Sequence, residues 1–522
     1  MNPLIQAIKN KNINQLKLLI ELGHDLNVRD EGGGKLLNVA AKVNALECAK
    51  VLIDRGFDVN ESGGWYGETP IYYAAGFGHV EMVRLLLLKG ADITLEERYD
   101  PFQELTKEKE LELFQNLKIN DVKNTNSQKE VIKRALYRNY TDFLNGVFLD
   151  GFDVNVELEN GNRPIHLATA ELTALLINLG ADINIKNHYG LTPLQSALRQ
   201  SGGYINIRDI NIRRNDNQLK IRILIELNAV IESTDNDLCT PLHIACQYCS
   251  TEEHLLNTAL FFIDQGVNLE VRDSKGQTPL YCLINAIAKR LFYNKKDSNN
   301  CFPDDYFKLI KTLTCKGCNI NALNILGQTP LLSLFEIEEL KNRNQLHKCL
   351  ISYPKSYLHF IAFLIETGAD VNAEDHSGTT PLIACAKNEF FAGYKILLEN
   401  GADEYKKNQF GESAKDIIKS KASARKSELV HIAIKYQDFF LMKLVLESGF
   451  DIDKKNYKKN LTPLFYAIEF YHPQIFELLI LHDASPELLP PAQQKKCALL
   501  LNQLKANKIS AILQSLIKHQ ES

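Results

Sequence analysis

Two Cys-x-x-Cys pairs, Cys246/Cys249 and Cys315/Cys318, are the residues best suited by type and spacing to chemistry. Four thiolates converging on one point would hold zinc, and either pair alone has the spacing of a redox dithiol. A second constellation sets His243 three residues before Cys246, the residue types of a base and a thiol nucleophile, and His79 and His166 stand near acids. A nucleophile needs a positioned base and a third group to orient that base, and no orienting group is readable beside any of these. Neither a Walker loop, a His-Glu-x-x-His helix nor a kinase-like set occurs.

The elements that must carry these residues show themselves by repetition. Thr-Pro-Leu recurs at 192–194, 240–242, 278–280, 329–331, 380–382 and 462–464, with Thr69-Pro70-Ile71 as a variant. Behind most copies follows Leu-Leu-x-x-Gly-Ala-Asp-Ile-Asn or a near relative, as in Leu87-Leu88-Lys89-Gly90-Ala91-Asp92-Ile93. Threonine and proline open a first helix, proline at a position needing no amide donor and threonine by accepting from an orphaned amide. Alanines such as Ala74 and Ala75 permit close helix approach, and leucines such as Leu85 and Leu86 fill the layer between units, at ~1.5–3 kcal/mol each on burial. Glycine after the second helix supplies the left-handed residue that ends it.

From Gly67 to Asp92 the chain resembles the ankyrin repeat over its whole unit, a family with a period of ~33 residues. The helix-ending glycines give the ruler: Gly23, Gly56 and Gly90 are 33 and 34 apart, and Gly368 and Gly401 are 33 apart. The resemblance implies an all-α solenoid of about a dozen helix-turn-helix-hairpin units, several degenerate, with a C-terminal helical cap. It also implies one elongated body, because each unit packs only on its neighbours.

The main array is expected over 1–404, with a degenerate repeat near 95–125 inside the 61 residues from Gly90 to Gly151. Gly266 to Gly317 and Gly317 to Gly368 each span 51 residues, which places insertions between the helices at about 286–305 and 336–355; a third falls at about 201–216. Stacked inter-helix turns line up on one edge, so these insertions should share a surface. The unit ending at Gly180 is short, as a trimmed inter-helix turn would make it. A partial break and a second short ankyrin segment are expected over 405–486, then capping helices over 487–522. The run Glu104 to Glu112, with both charge signs three and four apart, reads as a solvated helix face.

With 45% hydrophobic and 24% charged residues, the 522-residue chain has the composition of a folded protein, and its formal net charge of −4 gives no global basic field for nucleic acid or membrane. No apolar run reaches the length of a membrane span, and no leader pattern opens the chain, so a cytoplasmic location where it is made is expected. Eleven cysteines, mostly at positions the repeat reserves for small buried side chains, fit a reducing compartment. In the repeat frame Cys246 takes an alanine slot and Cys318 replaces the alanine of Gly-Ala-Asp. Cys246/Cys249 end a first helix and Cys315/Cys318 a second, which sets the pairs at opposite edges. The family's recurrent histidines make His79, His166 and His243 scaffold.

Function must then lie where the consensus is free: the hairpin tips and the exposed face of the first helix. These positions hold Trp65, Tyr66, Glu68 and Phe77 in the third unit, with Trp65 the single tryptophan. Later units place His188, Tyr189 and Leu191, then Tyr248, then Ile325 and Leu326 there. The expectation is a non-enzymatic monomer that binds partner proteins in its concave groove, without cofactor, metal, nucleic acid or membrane span. Its Lys, Asn and Ile richness and insertion-laden repeats resemble ankyrin-repeat effectors that intracellular bacteria deliver into host cells, which implies secretion and host proteins as partners. The alternative is an effector enzyme with a catalytic module in the insertions or the C-terminal region, although 15 to 20 residues are too few to bury a core.

Overall fold

Seven first helices begin on the proline that the sequence motif predicts, Pro70, Pro193, Pro241, Pro279, Pro330, Pro381 and Pro463, and an eighth begins on Pro164, which follows Arg163. Threonine precedes seven of them and caps six, its hydroxyl accepting from the amide three residues on at 3.2–3.4 Å. Most second helices end on left-handed glycines, with Asn228 and Asp483 in that conformation after two others; at Gly90 (φ 98°) the chain turns so that the Ala91 amide donates back to Leu86 at 2.9 Å. All regular elements among the described residues of this computed structural model are helical, with isolated bridges such as Arg29 to Lys35 at hairpin bases. The structure describes residues 2–64, 67–95, 102, 105–201, 214–248, 253–293, 304–336, 355–424, 426–435, 437–447, 449–454 and 461–503.

The chain divides after Leu255 into two compact units. The first contains six helix pairs, beginning with Pro3–Lys9 and Ile13–Glu21, and then the helix Pro241–Tyr248. The second contains most of Glu253–Asp264 and five further pairs, the last being Pro463–Glu469 and Pro473–Leu481, before helical residues 491–503. Within each unit the core is the leucine and alanine layer between successive pairs: Leu86, Ala74 and Ala75 are wholly buried in one, and Leu364, Leu382 and Ala386 in the other. Among the described residues no helix is long and apolar enough to cross a membrane.

Several local expectations change. Among its described residues the degenerate stretch before Asp121 holds one helix, Lys107–Asn116, and a 3-10 turn, Ile119–Asp121. The first helix Pro279–Tyr293 runs on into the expected insertion at 286–305, and Arg214–Glu226 starts inside the one at 201–216. Residues 202–213, 294–303 and 337–354, which hold most of the three insertions, lie outside the described residues, as do 504–522 at the C-terminus.

The solvated-face reading of Glu104 to Glu112 fails at Glu110. This carboxylate is fully buried, 2.7 Å from the Arg134 Nε and 3.4 Å from the Arg138 Nε. The helix Lys107–Asn116 sets Glu110 against the long helix Thr125–Arg138, where the buried Arg134 and the half-buried Arg138 answer it. Burial and the Glu110 charge together push the Tyr140 hydroxyl up to about 12.

The shortened unit is completed by its successor. Its first helix, Pro164–Leu167, has only four residues. Lys220, wholly buried on the next unit's second helix, donates to the carbonyls of His166 and Ala168 at 3.0 and 2.8 Å. Asp216, one turn earlier, accepts from the Ala170 amide at 3.2 Å and caps the following helix. Burial pulls the Lys220 ammonium down to about 7, against the opposing charge of Asp216.

Candidate functional site

The hairpin between units is built by one side chain. Asp30, Asn187, Asp235, Asp273, Asn324, Asp375 and Asn408 each accept from the backbone amides two and four residues on, all at 2.8–3.0 Å. This closes a tight loop whose two tip residues point away from the backbone ring. Tips then pair along the array: the His188 amide donates to Asn160 at 3.0 Å, Asn236 to Tyr189 at 3.1 Å, and Ile325 to Lys275 at 3.0 Å. With the backbone so occupied, the tip side chains are free to face solvent. Tyr189 is 55% exposed, and Ile325 and Leu326 are 62% and 57% exposed.

A second clip runs deeper. The asparagine closing one unit's Gly-Ala-Asp-x-Asn string reaches into the following unit: Asn372 donates to the Gly401 carbonyl at 3.1 Å and accepts from the Asp403 amide at 2.8 Å. Asn60, Asn155 and Asn321 make the same pair of contacts. A third is made by the polar residue after Thr-Pro-Leu/Ile. His166 takes the Arg163 amide on Nδ1 at 3.0 Å and lies 3.0 Å from the Leu191 carbonyl through Nε2. Full burial drives its pKa to about 4, so it is the neutral ring that bridges. Gln195 does the same work with the Cys239 carbonyl at 2.9 Å, and His243 is buried with Nδ1 2.8 Å from the Thr240 hydroxyl.

The cysteines divide by burial. Cys246 is wholly buried, and Cys318 is 7% exposed, matching Ala181 and Ala369 at the equivalent place. Burial and then Glu270 push the Cys318 thiol up to about 12, away from the thiolate. Cys315 is exposed, and Cys249 lies outside the described residues.

Of the candidate surface residues, Trp65 and Tyr66 lie outside the described residues. Phe77, half exposed at the end of the helix Pro70–Gly76, stacks on His79 at 6.1 Å, and the Lys42 ammonium stands 5.9 Å from its ring centre. Lys42 also lies 6.0 Å from the Tyr73 ring, whose hydroxyl reaches a Glu68 carboxylate oxygen at 3.2 Å. Glu68 and Phe77 are thereby joined through Tyr73 and Lys42. His188 is exposed beside Glu157 at 3.2 Å, and hydrogen bonding and charge from Arg163 hold that carboxylate below its usual range. Tyr248 is half buried at the end of Pro241–Tyr248. Leu191 is a correction: it is 7% exposed, because its amide is drawn onto Asn187 and its carbonyl onto His166, so its side chain turns inward.

One constellation was not anticipated. Lys42, Tyr73, Phe77 and His79 recur 393 residues on as Lys435, Tyr466, Phe470 and His472. In the second unit Phe470, 51% exposed, stacks between Tyr466 at 6.1 Å and His472 at 6.0 Å. Superposing the Thr69-Pro70 and Thr462-Pro463 registers would have revealed it in the sequence.

Two clefts accompany these surfaces. One, about 480 Å³, lies beside the helix Lys107–Asn116 and is lined by Phe114, Lys118, Tyr140 and Phe143. The other, about 610 Å³, lies in the second unit between the helices Asp304–Cys315 and Lys355–Glu366.

Residues 4–97 match the family described as ankyrin repeats, in three copies. The chain carries ankyrin repeats. Ankyrin repeats imply a protein–protein interaction role. The chain is 24% identical over 301 residues to transient receptor potential cation channel subfamily A member 1 of Homo sapiens, covering 47% of this chain and 26% of that protein. It is 42% identical over 79 residues to the palmitoyltransferase ZDHHC13 of Mus musculus, covering 15% of this chain and 13% of that enzyme. The match therefore spans about a quarter or less of these relatives' lengths. Among solved structures, an ankyrin repeat domain from Acinetobacter baumannii aligns over 46% of this chain and 98% of its own, at 22% identity and a TM-score of 0.33. The ankyrin repeat domain of Bcl-3 aligns over 55% and 92%, at 16% identity and a TM-score of 0.28.

Proposed function

We propose that this chain is a non-enzymatic scaffold that binds partner proteins through the exposed ends of its first helices and its hairpin tips. The observation that carries this reading is Phe77, an aromatic ring half in solvent, held by His79 beneath and Lys42 beside it. Large aromatic side chains presented rigidly lose little entropy on docking and dominate interface energetics. The recurrence at Phe470 supports the same use in the second unit. Trp65, Tyr66, Glu68, His188, Tyr189 and Tyr248 are further contact positions of the first unit, and Ile325 and Leu326 those of the second. The histidines and cysteines at repeat positions belong to the scaffold. The composition shared with effectors of intracellular bacteria makes host-cell proteins the partner class.

Affinity capture from eukaryotic cell lysate tests this, with the wild-type chain, Phe77→Ala and the pair Trp65→Ala with Tyr66→Ala run side by side. Proteins held by the wild type and lost by both variants identify the partner. Equal capture by all three overturns the role given to this surface.

A further inference from the structure

The 610 Å³ groove between Asp304–Cys315 and Lys355–Glu366 is used by none of the scaffold contacts above, and its lining has a distinct chemistry. Its floor is Phe307 against Phe363, ring centres 4.3 Å apart and tilted by 48°. Its wall is Lys308, Lys311 and Lys316, and Lys311 stands 5.6 Å from the Phe363 ring centre. No carboxylate lines the groove, and among the described residues none pairs with any of these three lysines. Four helix lysines elsewhere are answered within one turn: Lys50 by Glu47, Lys133 by Glu130, Lys395 by Glu399 and Lys443 by Glu447. In a chain of formal net charge −4, these three unanswered lysines stand together over an aromatic floor.

We propose that this groove docks an acidic segment of a partner protein, one that carries an apolar side chain among its carboxylates. The apolar group rests on the floor formed by Phe307 and Phe363, and the carboxylates meet Lys308, Lys311 and Lys316. Charge complementarity selects the partner, while the aromatic contact holds it. A flat anionic membrane fits poorly, because the rings lie half buried in the floor and do not project from the surface. A nucleic-acid base fits poorly too, because the tilted ring pair offers no open face for stacking. The docking is independent of the Phe77 surface.

Cys315, exposed at the groove's edge, reports on it directly. The probe is a synthetic peptide of alternating glutamate and leucine, added to the full chain. The readout is the rate of Cys315 alkylation by iodoacetamide, followed by peptide mass spectrometry, with fluorescence anisotropy for affinity. The peptide is expected to slow Cys315 alkylation, to weaken as salt rises, and to bind Lys308→Glu with Lys311→Glu at least about tenfold less tightly. These lysines are exposed, and the unchanged thermal midpoint of the double variant verifies its fold. Phe77→Ala should bind the peptide as the wild type does, which separates this site from the first. Equal binding by the double variant, or no slowing of alkylation, overturns the proposal. So does protection of Cys315 by phosphatidylserine vesicles or oligothymidylate where the peptide gives none.

Discussion

Glu110 and Arg134 form a buried ion pair at 2.7 Å between the helix Lys107–Asn116 and the long helix Thr125–Arg138. Removing one partner leaves an uncompensated charge in the interior, which costs about 3–5 kcal/mol, whereas replacing both by packed apolar groups is often neutral. Glu110→Ala is therefore expected to lower urea stability by that amount, and Glu110→Leu with Arg134→Met to recover most of it. Equal losses in both variants would show that the helix is held by its apolar contacts alone.

Lys220 predicts a pH dependence. Its folded pKa of about 7 lies below the ordinary lysine value of about 10.4, so the unfolded chain holds the extra proton between them. The associated stability is present above about 10.4 and lost as pH falls through about 7, with a slope of up to ~1.4 kcal/mol per pH unit in that window. Between pH 7 and 9 the wild type should gain stability relative to Lys220→Met, measured by urea midpoints. Parallel pH curves would place the charged ammonium in a wetter site.

Tyr471 has φ 55° at the inter-helix place where the third unit has Gly78 at φ 68°, and its ring is 73% exposed. A bulky residue in the left-handed region costs roughly 1–2 kcal/mol and little burial offsets it here. Tyr471→Gly should raise stability by about 1 kcal/mol, read from the thermal midpoint. An unchanged or lowered midpoint would make the 6.0 Å approach of Lys496 to its ring the stronger effect.

Phe77→Ala removes a half-exposed ring, so the fold should change by no more than about 0.5 kcal/mol. Binding of the captured partner should weaken by about 2 kcal/mol or more, as hot-spot truncations do. Calorimetry with the purified partner measures the second and a thermal melt the first.

The repeat frame was legible because its signals are local. Threonine and proline fix a helix start, glycine fixes a helix end, and the distance between them fixes the unit. Glu110 was misread for the same reason: three-and-four spacing describes one helix, and the sequence does not say that Arg134 of a later helix packs against it. Lys220 was equally silent, since what it caps lies 52 and 54 residues away. Leu191 failed as a surface residue because Asn187 bends the backbone there, a contact that repeat position alone does not reveal. Tyr189, Ile325 and Leu326 were readable as tip residues because their exposure follows from a two-residue loop.

The asparagine clips have a direction. Asn60, Asn155, Asn321 and Asn372 each hold a glycine carbonyl and a backbone amide of the unit that follows, never of the unit before. Loss of a later unit strips an asparagine of its partners on an otherwise intact neighbour, whereas loss of an earlier one leaves a naked amide and carbonyl on its successor. Fraying from the two ends of a unit is thus not symmetric, and slow-exchanging amides should include those of Asp92, Asp182, Asp370 and Asp403, one behind each clip.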